Sequence, residues 1–202
     1  MLDLFKPEFE PKPLTLENGR VRLEPIARDH ANALFVAGSD KSIWRYMPRP
    51  MFKDLSDAQG WVNETLDLVE SGSAVVFAII DAESNQPVGS TRFLNIERAH
   101  RGLEIGWTWL ALKAQRTGIN TNCKYLLLTH AFEDLGAIRV QLKTDSRNRQ
   151  SQTAIERIGA RREGVLRKHM IMWDKHERNT VMYSIIDKEW PEIKAQLRLK
   201  LL

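Results

Sequence analysis

The stretch from Lys113 to Phe132, KAQRTGINTNCKYLLLTHAF, places one glycine, Gly118, between a basic residue and a long run of apolar periodicity. The stretch holds no acidic residue, and the first one beyond it is Glu133. Glycine permits a tight turn and lets the backbone approach a ligand closely. A turn that feeds a helix also presents unpaired backbone N–H groups and the positive end of the helix dipole. With Arg116 and Lys124 adding charge, the segment has the features of a phosphate cradle. The plainer alternative is a loop whose helix is capped by a threonine. Two familiar phosphate loops are absent: there is no GxxxxGK[ST], and a single glycine cannot make GxGxxG.

The elements around this turn decide what it can do. VRLEPI (21–26) alternates and reads as a strand, and 29–37 reads as a short helix ending at Gly38. An aromatic, proline-rich loop, IWRYMPRPMF, precedes a helix that Ser56 opens as N-cap, with Gln59 completing a capping box. SAVVFAII is a buried strand, 81–86 is turn chemistry, and PVGSTRFLNI returns as a hairpin. LEIGWTWL, from Leu103, is the strand before the turn, so Gly118 lies at a strand-to-helix junction. The helix beginning near Thr121 carries Tyr125, Leu128, Phe132 and Leu135 on one face and stops at Gly136. IRVQLKT, a helix over 148–158, two strands around DKHE, and a helix opened by Trp190-Pro191 complete the chain. The order predicts a mixed α/β fold: antiparallel hairpins, then a locally parallel strand pair joined by a crossover helix.

Length and composition bound the function. The chain has 202 residues, net charge +4 and 43% hydrophobic residues, which is ordinary for a globular domain. Residues 1–19, with Pro7, Pro11 and Pro13, read as an extended arm, and 20–202 as a single domain. The basic excess is uneven: 139–178 holds 11 Lys/Arg against 5 Asp/Glu, suited to an anionic ligand. The lone Cys123 excludes an internal disulfide and suits a reducing compartment. No apolar run approaches a membrane span and the N-terminus lacks the order of a signal peptide, so the expectation is a cytoplasmic protein with no membrane partner. The five histidines show neither HxH nor HExxH spacing, and no metal is expected.

Gln115, Arg116, Thr117, Gly118 and Ile119 resemble the [QR]xxGx[GA] signature of the GNAT superfamily of N-acetyltransferases, with Asn120 in place of the last small residue. LEIGWTW is similar to the preceding strand in the branch that acetylates the N-termini of ribosomal proteins. NRQSQTAIERIGARREGVLR resembles that branch's NxxSxxxxxxxGFxxEGxLR: Asn148, Ser151, Gly159, Glu163, Gly164 and Arg167 match, and Ala160 stands where Phe is usual. The resemblance spans most of 20–186. It implies a mostly antiparallel central sheet with one splayed parallel pair, flanked by helices. It also implies acetyl-CoA as co-substrate and direct transfer to a primary amine.

The resemblance further implies site roles. Gln115 to Thr121 would cradle the pyrophosphate, Asn148 would bind the pantetheine arm, and backbone near Trp107, Thr108 and Trp109 would meet the thioester. An amine attacks only when neutral, so a base is needed. Glu104 is the candidate base, or else a strand carboxylate held in an ion pair. Ser151 is the candidate acid for the departing thiolate, or else a helix cap. Trp44, Tyr46 and Met170 lie on the acceptor side. Met170 stands where the ribosomal-protein enzymes carry an acidic residue. Two further readings remain open: a catalytically weak CoA-binding homologue acting as sensor or scaffold, and a nucleic-acid module, which no reader motif supports. The expected state is monomer or homodimer.

Overall fold

The computed structural model describes residues 8–201. In chain order the elements are β1 (Leu16–Glu17), β2 (Val21–Pro25), α1 (Ala31–Ala37), α2 (Leu55–Glu70), β3 (Ala74–Asp81), β4 (Gln86–Glu97), β5 (Gly102–Leu110), α3 (Ile119–Thr129), β6 (Arg139–Asp145), α4 (Arg149–Arg157), β7 (Arg161–Ile171), β8 (Glu177–Ile186) and α5 (Trp190–Arg198). The eight strands form one sheet in the order β1-β2-β3-β4-β5-β6-β8-β7. Every pairing is antiparallel except β5 with β6, which α3 joins as a crossover.

Strand alternation gives this sheet two apolar faces. Val75, Phe77 and Ile79 of β3 join Leu103, Ile105, Val140 and Leu142 under α3 and α5. Ala74, Val76, Ala78 and Ile80 point the other way, against Leu34 of α1 and Ala58, Trp61 and Val62 of α2. That double burial explains why SAVVFAII reads as a continuous apolar run rather than an alternating one.

Local chemistry moves several boundaries from those the sequence predicts. Asp54, not Ser56, caps α2: its carboxylate accepts from the Asp57 amide at 2.8 Å. Asp is as good a cap as Ser and lies one position before the first helical residue. The helix after Gly118 starts at Ile119 rather than Thr121, and it finishes as a π-helical turn over His130–Asp134. His130 Nδ1 and an Asp134 carboxylate oxygen hold that turn at 2.7 Å. Residues 8–19 lie against the sheet: Leu16–Glu17 pair with β2, and Phe9 is buried in the core. The arm expected over 1–7 falls outside the described residues. Among the described residues, no helix is long and apolar enough to cross a membrane.

Glu163 ties the last three strands. Its carboxylate accepts two hydrogen bonds from Arg139 of β6, at 2.7 and 2.6 Å, and one from Ser184 of β8 at 2.7 Å. These bonds, Arg139 first, hold its pKa at about 2 instead of the ordinary 4.5. The folded pKa is depressed, so the stabilisation is present above the unfolded pKa and fades as pH falls toward 2. Solvent reaches both side chains, which holds the pair to about 1 kcal/mol or less. Glu163→Gln should therefore lower the melting temperature at pH 7 by about 2–4 °C. That deficit should shrink steadily in melts run from pH 4.5 down to 2.5, and a constant deficit would show that the bonds rather than the charge matter.

Candidate active site

The parallel pair is short. β5 and β6 are in register at only three positions, Gly102–Arg139, Leu103–Val140 and Glu104–Gln141. Beyond Glu104 they part, and the cause lies on the opposite edge of β5. Arg92 of β4 faces Gly106 and Ser90 faces Trp109, so Trp107 and Thr108 share the single partner Thr91. Trp107 takes a left-handed conformation, φ 52°. A bulge of this kind bends and twists its strand. The outcome is a cleft whose β5 wall, 105–110, has no strand on its β6 side.

The turn that follows is fastened from within. Gln115 Nε2 donates to Leu110 O at 3.1 Å and Thr117 Oγ1 to Ala114 O at 2.7 Å. Arg116 and Gly118 adopt positive φ, 61° and 86°. Asn120 does not, so its tolerance of left-handed angles is unused; it simply occupies the first turn of α3. The Gly118, Ile119, Asn120 and Thr121 amides have no backbone acceptor among the described residues, as the start of a helix requires. No acid sits in that turn. A β-carbon on Gly118 would meet nothing closer than Asn122 Nδ2 at 3.8 Å, so the space above it is open. Ile119 and Thr121 are buried, and they offer a ligand their amides rather than their side chains. These partnerless amides fit a pyrophosphate. Cys123 is wholly buried and its thiol is pushed up to about 11, opposite to the lowering a helix dipole would give.

Glu104 lies where the strands part, 1% exposed. One carboxylate oxygen accepts from Asn95 Nδ2 at 3.0 Å and Gln141 Nε2 at 3.1 Å, and faces Lys143 Nζ at 3.1 Å. Its other oxygen lies over Gly106, where any β-carbon would come within 2.8 Å. The polar face continues across the sheet: His169 Nδ1 and Arg178 Nε both meet Thr180 Oγ1, at 3.1 and 3.0 Å. Partial desolvation, then Lys143 and Arg178, push the pKa of the solvent-exposed His169 below its ordinary value, which favours the neutral ring. The sequence reading passed over His169. Its only mark in the sequence is its strand position beside Met170.

The remaining predicted residues separate by burial. Trp44 is 1% exposed, donates to Gly38 O at 2.7 Å and packs edge-on against Phe52, so it is a core residue rather than one that lines a pocket. Trp109 is likewise buried and has only backbone to offer. Tyr46 is half-buried with the Arg147 guanidinium 5.6 Å from its ring, and Met170 is half-buried on β7 opposite Arg178. Asn148, not Ser151, is the N-cap of α4: its Oδ1 accepts from the Ser151 amide at 3.0 Å. That leaves the Ser151 hydroxyl clear of the capping role. Tyr183 donates to Glu156 at 3.0 Å and is buried, which pushes its pKa up to about 12.

Residues 20–161 match the family description "Acetyltransferase (GNAT) domain". The chain belongs to that family of N-acetyltransferases. It is 25% identical over 179 residues to the uncharacterized N-acetyltransferase p20 of Bacillus licheniformis, covering 87% of this chain and 98% of that protein. A Bacillus subtilis protein provisionally named ribosomal N-acetyltransferase YdaF is 34% identical over 96 residues, 48% of this chain and 51% of its own length. Among solved structures, a GCN5-related N-acetyltransferase from Brucella melitensis superposes with TM-score 0.91 at 27% identity, over 100% of this chain and 91% of that one. The acetyltransferase MccE, solved with acetyl-CoA and AMP, shares the fold at TM-score 0.75 and 24% identity, over 84% of this chain and 93% of its own.

The capping assignment is testable by melting alone. Asn148→Ala should lose about 1 kcal/mol, and Ser151→Ala almost nothing. For a domain of this size that is a difference of about 2–4 °C. Equal losses would return the cap to Ser151.

Proposed function

We propose that this protein transfers the acetyl group of acetyl-CoA directly to a primary amine, a peptide N-terminus or a small amine. The observation that carries the reading is the parting of β5 and β6 at Glu104–Gln141, beside the partnerless amides of Gly118 to Thr121. In this reading Gln115, Arg116, Thr117, Gly118, Ile119, Asn120 and Thr121 hold the pyrophosphate, and Asn148 meets the pantetheine arm. The backbone of Trp107, Thr108 and Trp109 donates to the thioester oxygen, where negative charge develops during transfer. Ser151 protonates the thiolate. Acetyl-CoA as donor accords with the complex of MccE.

The amine must lose a proton. Glu104 is buried under three donors and reaches an acceptor only through water, whereas His169 favours its neutral form and lies on the same face. The proton therefore leaves by water toward that face, with Glu104 as its fixed negative charge. Tyr46 and Met170 border the acceptor there. A CoA-binding protein without turnover is the second reading, favoured by the three donors that hold one Glu104 oxygen and by Met170 in place of an acid. Thiol release from acetyl-CoA over a panel of peptides, polyamines and aminoglycosides separates the two.

Glu104→Gln should lower turnover by about 10- to 10⁴-fold, with the loss relieved at high pH where the amine deprotonates itself. His169→Gln should lower it by about 10- to 100-fold and flatten the acid limb of the profile. If both leave the profile of the wild type, the proton leaves elsewhere.

Gly118→Trp should abolish CoA binding, because its side chain fills the space above the amides. At φ 86° a side chain is strained by about 1–2 kcal/mol, so the unliganded variant should melt a few degrees below wild type while remaining folded. CoA at about 100 times its dissociation constant should add roughly 2.7 kcal/mol to the wild type. The variant should show almost none of that protection. A variant still protected by CoA would remove the pyrophosphate from this turn.

A further inference from the structure

On the α2 side of the sheet, a cavity of about 260 Å³ opens between α2 and the bulge of β5. Arg92 and Trp107 form its floor, Trp61 and Leu68 are its apolar walls, and Arg49 and Glu64 stand at its sides. Arg92 is 5% exposed, yet its Nε and Nη2 have no hydrogen-bond partner among the described residues. Its guanidinium lies 4.6 Å from the centre of the Trp107 ring. Arg49 reaches the same cavity. Its Nη2 is held by Asp57, at 3.0 and 3.2 Å, while its buried Nη1 is unpartnered.

A buried cation without a partner is among the most destabilising features a fold can carry, and breaking such pairs is strongly unfavourable. Burial alone drags the Arg92 pKa down to about 10, far too high for it to be neutral at physiological pH. The charge is therefore present and uncompensated. Asp57 is committed to Arg49, and Glu64 is an exposed residue of α2 that lines the cavity without bonding Arg92. An unpaired guanidinium fork inside an aromatic cavity matches an oxyanion, which it can bind through two parallel bonds.

We propose that the acceptor amine carries an anionic group, a carboxylate or a phosphate, and that Arg92, assisted by Arg49, binds that group. This inference rests on the acetyl-transfer reading, because Trp107 joins the cavity to the backbone where the thioester would lie. It narrows the acceptor to a small amine with its oxyanion a few bonds from the nitrogen. A peptide N-terminus with a neutral first residue offers no such group. Glu64, exposed on α2, also lines the cavity, and its charge disfavours a second anion, so the site selects a zwitterion over a dianion.

The test compares matched amines with acetyl-CoA: leucine, leucinamide and isoamylamine for a carboxylate, and phosphoethanolamine and ethanolamine for a phosphate. Wild type should favour the anionic member of one set by at least about 10-fold in kcat/KM, since a site built for a polar group rejects analogues lacking it. The set that shows the preference identifies the oxyanion. Arg92→Met should collapse that ratio to below about 2-fold, and Arg92→Lys, which keeps the charge without the fork, should restore part of it. A second readout needs no turnover: thermal protection by the preferred anionic amine in the presence of CoA should vanish in Arg92→Met. The unliganded Arg92→Met protein should melt at or above wild type, because an unpartnered buried charge has been removed. A merely structural arginine would instead lower it. Equal use of neutral and anionic amines, or of a peptide with a neutral N-terminal residue, would overturn the inference while leaving acetyl transfer intact. Thiol release with no amine at all, alongside Arg92-dependent protection by an anionic amine, would overturn the transfer reading instead.

Discussion

The arrangement depends on one constraint: β5 cannot satisfy both neighbours over its whole length. Opposite β4 it carries two residues against one, and the surplus is absorbed by Trp107 in a left-handed conformation. A left-handed angle in a bulky residue is costly, of order 1–3 kcal/mol, and persists only where the surroundings over-determine it. Here they do. Ser90 and Arg92 fix the register on either side, Thr91 Oγ1 meets Thr108 Oγ1 at 2.8 Å, and the Trp107 ring lies under Arg92. The twist so created turns β5 away from β6, and the cleft follows from the geometry of the strand rather than from any loop. Each side of the cleft then takes its character from the sheet face beneath it.

Those faces differ in how they treat charge. The face under α3, α4 and α5 is apolar through Leu103, Ile105, Val140 and Leu142. The other face carries Glu104, Lys143, Arg178 and Arg92, of which all but Lys143 are at most 5% exposed. Buried ionic groups contribute little to stability unless fully paired. Glu104 is paired through one oxygen, with two amides and an ammonium around it, and the Arg92 guanidinium has no such partner. The carboxylate is thus anchored to the sheet through one oxygen, and the unpaired guanidinium is the group with unspent binding capacity. Placing both on one face, either side of Trp107, gives that face the polarity an amine with an attached anion would meet.

Much of this was legible from residue types. Gly118 announces itself because few other residues adopt a φ of 86° at a helix start, and the acid-free stretch around it is visible without coordinates. The succession of elements along the chain followed from periodicity, since β3 reads as a buried run and β5 leads straight into the turn, whereas the order of strands in the sheet did not. What escaped was set by tertiary contacts. Asp54 and Ser56 are both good caps, and only the position of the Asp57 amide chooses between them. Trp44 looks like a pocket aromatic until Phe52 and Trp109 are seen to enclose it. Arg92 sits in STRF as one polar residue of an alternating strand, and nothing in its neighbours along the chain says that its partner is missing. The bulge that determines the cleft has no mark in LEIGWTWL beyond Gly106, whose missing β-carbon leaves room for Glu104.

The turn and the bulge are also fastened to one another through Lys124. Its ammonium group is inside the protein, 6% exposed as a residue, and Nζ donates to Thr108 Oγ1 at 2.6 Å. Burial lowers its pKa, so the charged form is held less favourably here than in water. A charged lysine held by one hydroxyl would cost several kcal/mol, whereas a neutral one contributes an ordinary hydrogen bond of about 1 kcal/mol. Either way the bond runs from α3 to Thr108, the residue next to the surplus Trp107 of β5. The helix whose first amides would meet a pyrophosphate under the proposed function is thereby linked to the strand whose backbone would meet the thioester. Across such a link the two ends of one long ligand meet a single rigid body, and little ordering of the protein opposes binding. The same tie explains a basic residue one turn into a helix that otherwise packs Cys123, Leu127 and Leu128 against the sheet. Its charge is less important there than its reach.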